Sequence, residues 1–351
     1  MIRAVQAATR RLHGTLTLFV ALALAPVLLG WALVTAIGGV EKRSLPRDDP
    51  ATTLILVTLD GVRPRELLHG ADPSLAPDRA DEPVMPFLTR SLAPLGGFIA
   101  GDGRFGTGTP FATSMPSYHA MFTGRMTTCL TNECREPRGE GLLSRLVDLA
   151  PGSVAVFATW TRLCFGLPAE RLANISVCGR DQAFAYLRRH GAAADVEGNA
   201  DAMIFRAALS RLRLDPPSFL YIALDESDGV GHSGVYPAYL GVLARYDGYL
   251  RALWSEMQAM RARGLKPVLV VTTDHGRGDG AEWTGHGFTI PASREGWLLA
   301  VGHGIAAQGR AAGTRHRSLF DVRPTVEHLL GLVPRRSLWG GVMTELLAYR
   351  G

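Results

Sequence analysis

Aspartate and histidine residues follow three apolar runs of the chain, at the points where the runs end. The runs at residues 53–59, 218–224 and 268–273 are typical of buried strands. Carboxylate and imidazole groups bind Zn²⁺ readily, and two such ions can hold the attacking and leaving oxygens of a displacement at phosphorus. Asp and Gly are also common in turns, so each site alone is a weak signal. The candidate ligands are Asp60, Asp228, His232, Asp274, His275 and, on a later loop, His286.

Ser114 is a candidate nucleophile. Pro116 suits the first turn of a helix and Gly124 suits its end, so Ser114 is expected at or just before the N-terminus of that helix. Unpaired backbone N–H groups at a helix N-terminus attract anions such as phosphate. A hydroxyl bound to a divalent ion also loses its proton more easily and becomes a nucleophile. The alternative is an ordinary N-cap serine with no chemical role.

Strands alternate with helices along most of the chain. Further strands are predicted at 153–158 and 297–301, whereas residues 96–113 are rich in Gly and Thr and show little periodicity. Helices are predicted at 86–93, 199–214, 237–263 and 319–331. The alternation predicts an α/β fold with a mostly parallel central sheet flanked by helices on both faces. Because the carboxyl ends of such strands share one crevice, ligands far apart in sequence can meet there.

The N-terminal region differs from the rest of the chain. Residues 14–40 contain no charged residue and are rich in Leu, Ala and Val, and about 20 apolar residues suffice to cross a bilayer as a helix. We therefore predict a membrane anchor (a transmembrane helix) within residues 1–40, a linker at 41–52 and a catalytic domain at 53–351. A cleaved signal peptide is the rival, although its apolar region is usually shorter, ~7–15 residues. Three basic residues on each side leave the orientation undecided.

Four cysteines lie at about 125–200, a region expected to elaborate the site rather than to form a second domain. The pairs Cys129–Cys134 and Cys164–Cys178 are the simplest of the three possible connectivities. Buried free thiols are the alternative, and the spacings argue against a zinc cluster. Disulfides after an export-like segment predict that the domain faces the periplasm or the exterior, anchored in the inner membrane, or secreted if the segment is cleaved.

The net charge and several remaining residues say less about the function. The net charge of +5 is modest and no basic run is interleaved with aromatics, so no binding to a nucleic-acid polymer is expected. His119 is expected to be a packed or exposed histidine rather than a ligand. Arg277 and Glu282 are close in sequence to the candidate ligands; a surface loop is expected for both, with a substrate contact as the alternative.

Taken together, these segments resemble the alkaline phosphatase superfamily, especially its nucleotide pyrophosphatase/phosphodiesterase-like (type I phosphodiesterase) branch. The resemblance covers roughly residues 52–345 and depends on the order and spacing of several short motifs. These motifs are Asp60-Gly61-Val62-Arg63, residues 114–124 (SMPSYHAMFTG), Asp228-x-x-Gly-His232, Asp274-His275-Gly276, Gly285-His286-Gly287 and residues 321–331 (DVRPTVEHLLG).

The resemblance implies a two-zinc hydrolase of phosphoesters that forms a covalent phospho-serine at Ser114. One zinc would be held by Asp60, Asp274 and His275 and would contact Ser114; the other would be held by Asp228, His232 and His286. Water, or another alcohol, would then release the phosphoryl group. The substrate would be a small phosphoester or a lipid head group.

Two further residues are candidate substrate contacts. In the phosphodiesterase branch an Asn commonly stands where this chain has Ser117, and a further Asn downstream binds a phosphate oxygen. Asn132 is the only nearby candidate for that second position. These departures from the branch pattern concern the choice of substrate rather than the metal site.

Three other functions remain open on the sequence. A membrane-tethered phosphoryl or phosphoethanolamine-type transferase would use the same nucleophile and metals. A sulfatase would need a Cys or Ser within Cys/Ser-x-Pro-x-Arg, and here Tyr118 replaces the arginine. An inactive metal-binding interaction module would keep the ligands without the chemistry.

Overall fold

The computed structural model of this chain describes residues 51–80, 82–126, 128–134, 141–149, 152–166, 176–191, 198–311 and 315–348. The chain divides into residues 1–46 and residues 47–351, and all the described residues belong to the second unit. The predicted anchor and most of the predicted linker therefore lie outside the described residues. Among the described helices, none is both long and apolar enough to cross a bilayer.

An eight-stranded sheet, with strand order β5-β4-β6-β1-β7-β8-β2-β9, forms the centre of the domain. Every strand in it runs in the same direction except β8, which is antiparallel to both β7 and β2. A separate pair, β3 and β10, is parallel. The strands are β1 (Thr53–Leu59), β2 (Gly96–Ala100), β3 (Phe105–Gly106), β4 (Val154–Ala158), β5 (Ser176–Cys178), β6 (Phe219–Leu224), β7 (Pro267–Thr272), β8 (Trp297–Gly302), β9 (Gly309–Arg310) and β10 (Arg317–Ser318).

Helices cover the sheet. They are α1 (Pro64–His69), α2 (Ser114–Thr123), α3 (Leu142–Leu149), α4 (Thr161–Gly166), α5 (Arg180–Arg189), α6 (Ala200–Leu214), α7 (Glu226–His232), α8 (Tyr236–Ala262) and α9 (Val322–Leu329). A π-helical turn at Leu88–Leu92 and several 3₁₀ turns complete the regular structure.

The helices lie on both faces of the sheet. Phe122 of α2 packs edge-on against Tyr221 of β6, with ring centroids 5.0 Å apart. The next residue, Ile222, belongs to the apolar core that includes Leu243 and Leu250 of α8. Because neighbouring side chains of a strand point to opposite faces, α2 and α8 cover opposite faces. The predicted mostly parallel α/β fold is therefore confirmed.

The central strands are continuous apolar runs because both of their faces are covered. Every residue of β1, β6 and β7 is buried, as is usual for parallel strands between helical layers. Their apolar composition made them predictable, whereas β2 was not predicted. In β2, Gly96 lies so close to β8 that an added Cβ would come within 2.1 Å of the Ala300 carbonyl oxygen, so this strand lacks the side chains by which a strand is usually recognised.

The cysteine-containing region contributes both helices and strands to the domain. Its strands β4 and β5 extend one side of the main sheet, with β4 pairing with β6. The structure pairs Cys129 with Cys134 and Cys164 with Cys178, as predicted. The first disulfide closes a short loop that follows α2, and the second joins α4 to β5.

Asp247 offers a test of the packing between α8 and the π-helical turn. Its buried carboxylate accepts the backbone N–H groups of Phe87 and Leu88, both at 2.8 Å. We predict that Asp247→Ala lowers the free energy of unfolding by about 3 kcal/mol, because two buried donors lose a charged acceptor. Urea denaturation measures the change. Asp215→Ala, which removes a largely exposed carboxylate paired with Arg211, should cost under about 1 kcal/mol; equal losses would contradict this account.

Candidate metal centre and active site

Three adjacent strands deliver the acidic side chains to one edge of the sheet. β1 lies between β6 and β7, and its register pairs Leu59 with Leu224 and Thr58 with Thr272. Asp60, which follows β1, therefore lies between the segments that lead to Asp228 and to Asp274. The parallel arrangement thus joins residues that are more than 200 positions apart in the chain.

Asp60, Asp274 and His275 form one group of potential metal ligands. All three are buried, and one ligand atom from each lies within 4.8 Å of the others. His275 Nε2 is 3.4 Å from Asp60 Oδ1 and 3.5 Å from Asp274 Oδ2. The other ring nitrogen, Nδ1, lies 2.8 Å from the Gly276 carbonyl oxygen. A carbonyl can only accept, so Nδ1 carries the proton and Nε2 presents its lone pair to the carboxylates.

Asp228 is the centre of a second group. One ligand atom each from Asp228, His275 and His286 lies within 4.8 Å of the others. His232 Nε2 lies 3.2 Å from Asp228 Oδ2 and 3.0 Å from His286 Nε2, so the structure brings His232 to the same place, with half of its side chain exposed. His286 Nδ1 is 2.9 Å from the Ala112 carbonyl oxygen, which again leaves Nε2 free to bind a metal.

The site concentrates negative charge where water is excluded. Burial, followed by the charges of Asp274 and Asp228, raises the pKa of Asp60 well above its usual value. Burial and the Asp228 charge raise the pKa of Asp274 to about 7. For Asp228, burial is outweighed by the hydrogen bond with His232 and by neighbouring cationic groups, so its pKa is lowered. Burial lowers the pKa values of His275 and His286 to about 4.

The donor set fits divalent cations. Asp60 Oδ1 and Asp274 Oδ2 are buried and accept no hydrogen bond in the described part of the chain, which is costly for a carboxylate unless a cation is present. Burial keeps His275 and His286 neutral, which is the form that binds metal. Gly61 permits the close approach, because an added Cβ would lie 2.7 Å from Asp228 Oδ1. Imidazole and carboxylate together favour a zinc-like ion.

Ser114 lies beside the first group. It is the first residue of α2 and is buried, and its Oγ is 3.4 Å from His275 Nε2. One helical turn later, the Tyr118 hydroxyl donates to Asp60 Oδ2 at 3.2 Å. The helix therefore presents a hydroxyl to the candidate ligands and orients one of them, Asp60. The predicted position of Ser114 at a helix N-terminus is confirmed.

The two candidate substrate contacts occupy different surroundings. Asn132, in the loop closed by Cys129 and Cys134, accepts the Met115 backbone N–H through Oδ1 at 3.0 Å. Its amide group is thus held next to Ser114. Ser117 is fully buried, and its hydroxyl has no hydrogen-bond partner among the described residues. His119 is also buried, so it is a packed histidine, one of the two expected positions.

Arg277 corrects an expectation from the sequence. A surface loop was expected, but Arg277 is buried. Its Nε donates to the Trp283 carbonyl at 2.9 Å, and Nη1 donates to the Asp228 carboxylate. It therefore fixes the carboxylate of a candidate metal ligand, and its signal in the sequence was its place three residues after Asp274. Glu282 is exposed, as expected.

No protein-family model matches this chain, and no curated protein matches it. Solved structures do match. The phosphonate monoester hydrolase of Agrobacterium radiobacter is 16% identical with a TM-score of 0.57, over 85% of this chain and 77% of that one. The lipoteichoic acid synthase LtaP from Listeria monocytogenes is 14% identical with a TM-score of 0.56, over 84% and 76%.

An inactive variant of murine ectonucleotide pyrophosphatase/phosphodiesterase 5, in complex with AMP, also matches. It is 13% identical with a TM-score of 0.53, over 85% of this chain and all of that one. Sulfatase structures match as well. At these identities the likeness shows the fold. The fold that the sequence resemblance implied is thus confirmed, whereas the superfamily and its phosphodiesterase-like branch stay predictions.

The raised pKa of Asp274 predicts a pH-dependent effect in metal-free protein. Its pKa rises from 3.8 to about 7 on folding, so the folded state holds this proton more tightly than the unfolded state. Below pH ~4 this group therefore does not lower the free energy of unfolding of the wild type. That free energy falls as the pH rises from ~4 to ~7, and above pH ~7 the loss is complete. With chelator at pH 8, Asp274→Asn should be more stable than wild type by on the order of 3 kcal/mol, and the gap should close near pH 4.

Saturating zinc provides the internal control. At pH 8 zinc should make the wild type more stable than Asp274→Asn, because only the wild type offers the ion a charged carboxylate at position 274. Denaturant titrations at both pH values, with chelator and with zinc, measure all four cases. An Asp274→Asn protein less stable than wild type under chelation at pH 8 would contradict the electrostatic account.

Proposed function

We propose that this chain is a two-zinc phosphoester hydrolase of the phosphodiesterase/pyrophosphatase type, with Ser114 as its nucleophile. The observation that carries the proposal is the position of the Ser114 hydroxyl, 3.4 Å from His275 Nε2, at the N-terminus of α2 and beside six clustered ligand side chains. Neighbours of the same fold include a phosphonate monoester hydrolase and a pyrophosphatase/phosphodiesterase. Their named activities support the reaction class for this chain.

The proposal assigns two sets of ligands. Asp60, Asp274 and His275 hold the ion next to Ser114, and the second set, Asp228, His232 and His286, holds the other. When bound, the two ions supply positive charge against the phosphoryl oxygens and favour ionised hydroxyl groups.

The protein's own groups orient the reaction. Ser114 Oγ attacks phosphorus and displaces the leaving oxygen of the ester. The Ser114 backbone N–H at the start of α2 faces the phosphoryl oxygens, because the N–H groups of Met115 and Ser117 are bonded to Asn132 and Thr113. The Asn132 carboxamide, fixed through its oxygen on Met115, directs its N–H groups at one of those oxygens. Tyr118 holds Asp60 Oδ2, which leaves Oδ1 toward the first set of ligands. Arg277 performs the same role for Asp228.

We further propose that the domain lies outside the cytoplasm, tethered to the inner membrane by residues 1–40. The two disulfides support an oxidising compartment. A small phosphoester or a lipid head group is the proposed substrate, and transfer to another alcohol is the alternative outcome of the same phospho-serine.

Ser114→Ala tests the nucleophile. With bis-4-nitrophenyl phosphate as substrate, we predict that kcat falls by about 1,000-fold or more while bound zinc, measured by elemental analysis, is unchanged. Asn132→Ala should also retain zinc but lose on the order of 100-fold, because it removes one hydrogen-bond donor to the transition state. Ser144→Ala, which changes a buried serine of α3, is the matched control and should retain activity.

The outcome separates the candidate functions. Comparable rates with 4-nitrophenyl phosphate would favour a monoesterase, and faster release from 4-nitrophenyl sulfate would favour a sulfatase. Phosphoryl transfer to added glycerol would favour a transferase. A zinc-loaded protein that turns over none of these substrates would be a binding module, and wild-type protein without zinc would refute the proposal.

A further inference from the structure

A short segment near the end of the chain exposes large apolar side chains. Residues 333–339, here called the 333–339 segment, follow α9. Val333 is 58% exposed, Leu338 is fully exposed and Trp339 is 53% exposed. Single exposed apolar residues are ordinary, but several within one short segment mark a surface that contacts something else.

Hydrogen bonds to the domain hold the 333–339 segment in one conformation. The Arg335 backbone N–H donates to buried Glu327 at 2.7 Å, and the Gly341 N–H donates to Asp321 at 2.9 Å. Between them, the Ser337 hydroxyl donates to the Gly124 carbonyl and accepts from the Trp339 N–H at 3.0 Å. Both ends of the segment are thus attached to the domain, and Leu338 and Trp339 are presented to solvent between them.

Positive charge accompanies the apolar surface. Arg335 and Arg336 are both exposed, and neither side chain forms an ion pair with any residue that the structure describes. The whole chain is also basic, with a net charge of +5. Tryptophan, leucine and arginine together suit a bilayer interface, where the indole ring lies among the head groups and the arginines contact lipid phosphates.

The position of the segment agrees with a membrane contact. Ala51, the first described residue, donates its backbone N–H to the Leu329 carbonyl at 2.9 Å. Leu329 ends α9 and lies four residues before Val333. Ala51, near the end of the predicted linker, therefore lies beside the end of the helix that leads into the 333–339 segment.

We propose that the 333–339 segment docks on an anionic phospholipid surface, with Leu338 and Trp339 in the interface and Arg335 and Arg336 on the lipid phosphates. This contact is separate from the predicted N-terminal anchor and does not depend on the catalytic proposal. It would fix which face of the domain lies on the membrane.

Tryptophan fluorescence tests the proposal on the full chain. The protein is reconstituted into vesicles of phosphatidylcholine, alone or mixed equally with phosphatidylglycerol, with bromine on the acyl chains as quencher. The chain has six Trp residues, so the difference between wild type and Trp339→Phe isolates the emission of Trp339. We expect Trp339 to be quenched in the anionic vesicles. Arg335→Gln with Arg336→Gln should weaken that quenching on the order of tenfold, as should high salt.

Leu214 supplies a matched control. It is 60% exposed and also lies among arginines, but Arg211 and Arg213 are paired with Asp215 and Glu256. Leu214→Trp, made in the Trp339→Phe protein, moves the reporter to that site and should not be quenched. Equal quenching of the two reporters, or no quenching of Trp339 in anionic vesicles, would overturn the proposal. So would Trp339 shielded by a second copy of the chain, detected as a dimer in detergent that Leu338→Ser abolishes.

Discussion

Crowding of three carboxylates at the edge of a parallel sheet is the constraint on which the site depends. Asp60 and Asp274 follow β1 and β7, and Asp228 lies in the first turn of α7, just after the neighbouring strand β6. The strand spacing of about 4.8 Å keeps the three carboxylates together. Burial raises the pKa values of Asp60 and Asp274, so a folded protein with both groups ionised requires compensating cations. Arg277 compensates Asp228 only. Divalent ions would compensate the negative charge that remains on Asp60 and Asp274.

The same constraint explains the surrounding polar contacts. Tyr118 donates to Asp60 Oδ2 and the Gly61 backbone N–H donates to Asp274 Oδ1. The opposite oxygen of each carboxylate has no hydrogen-bond partner among the described residues. His275 and His286 both donate Nδ1–H to backbone carbonyls. Each of these hydrogen bonds occupies one polar atom of the side chain and leaves the other one facing the site. The arrangement is therefore preorganised for cations by ordinary hydrogen bonds.

Much of this could be predicted from the sequence because buried parallel strands are continuous apolar runs, and Asp60 and Asp274 follow such runs directly. The position of Ser114 followed from Pro116 and Gly124. Strand β2 could not be predicted, since the glycine that its packing requires removes the apolar signal. The role of Arg277 was also missed, because its burial depends on Asp228, which is 49 residues away. Contacts of this kind are a property of the fold and leave no local pattern.

The central claim is that the clustered acids and histidines hold two metal ions next to Ser114. Crystals of zinc-loaded protein, measured on both sides of the zinc absorption edge, test it most directly. The account predicts two anomalous peaks at the carboxyl edge of β6, β1 and β7, one among Asp60, Asp274 and His275 and the other among Asp228, His232 and His286, with Ser114 Oγ close to the first. Well-ordered crystals without an anomalous peak among these six side chains would contradict it.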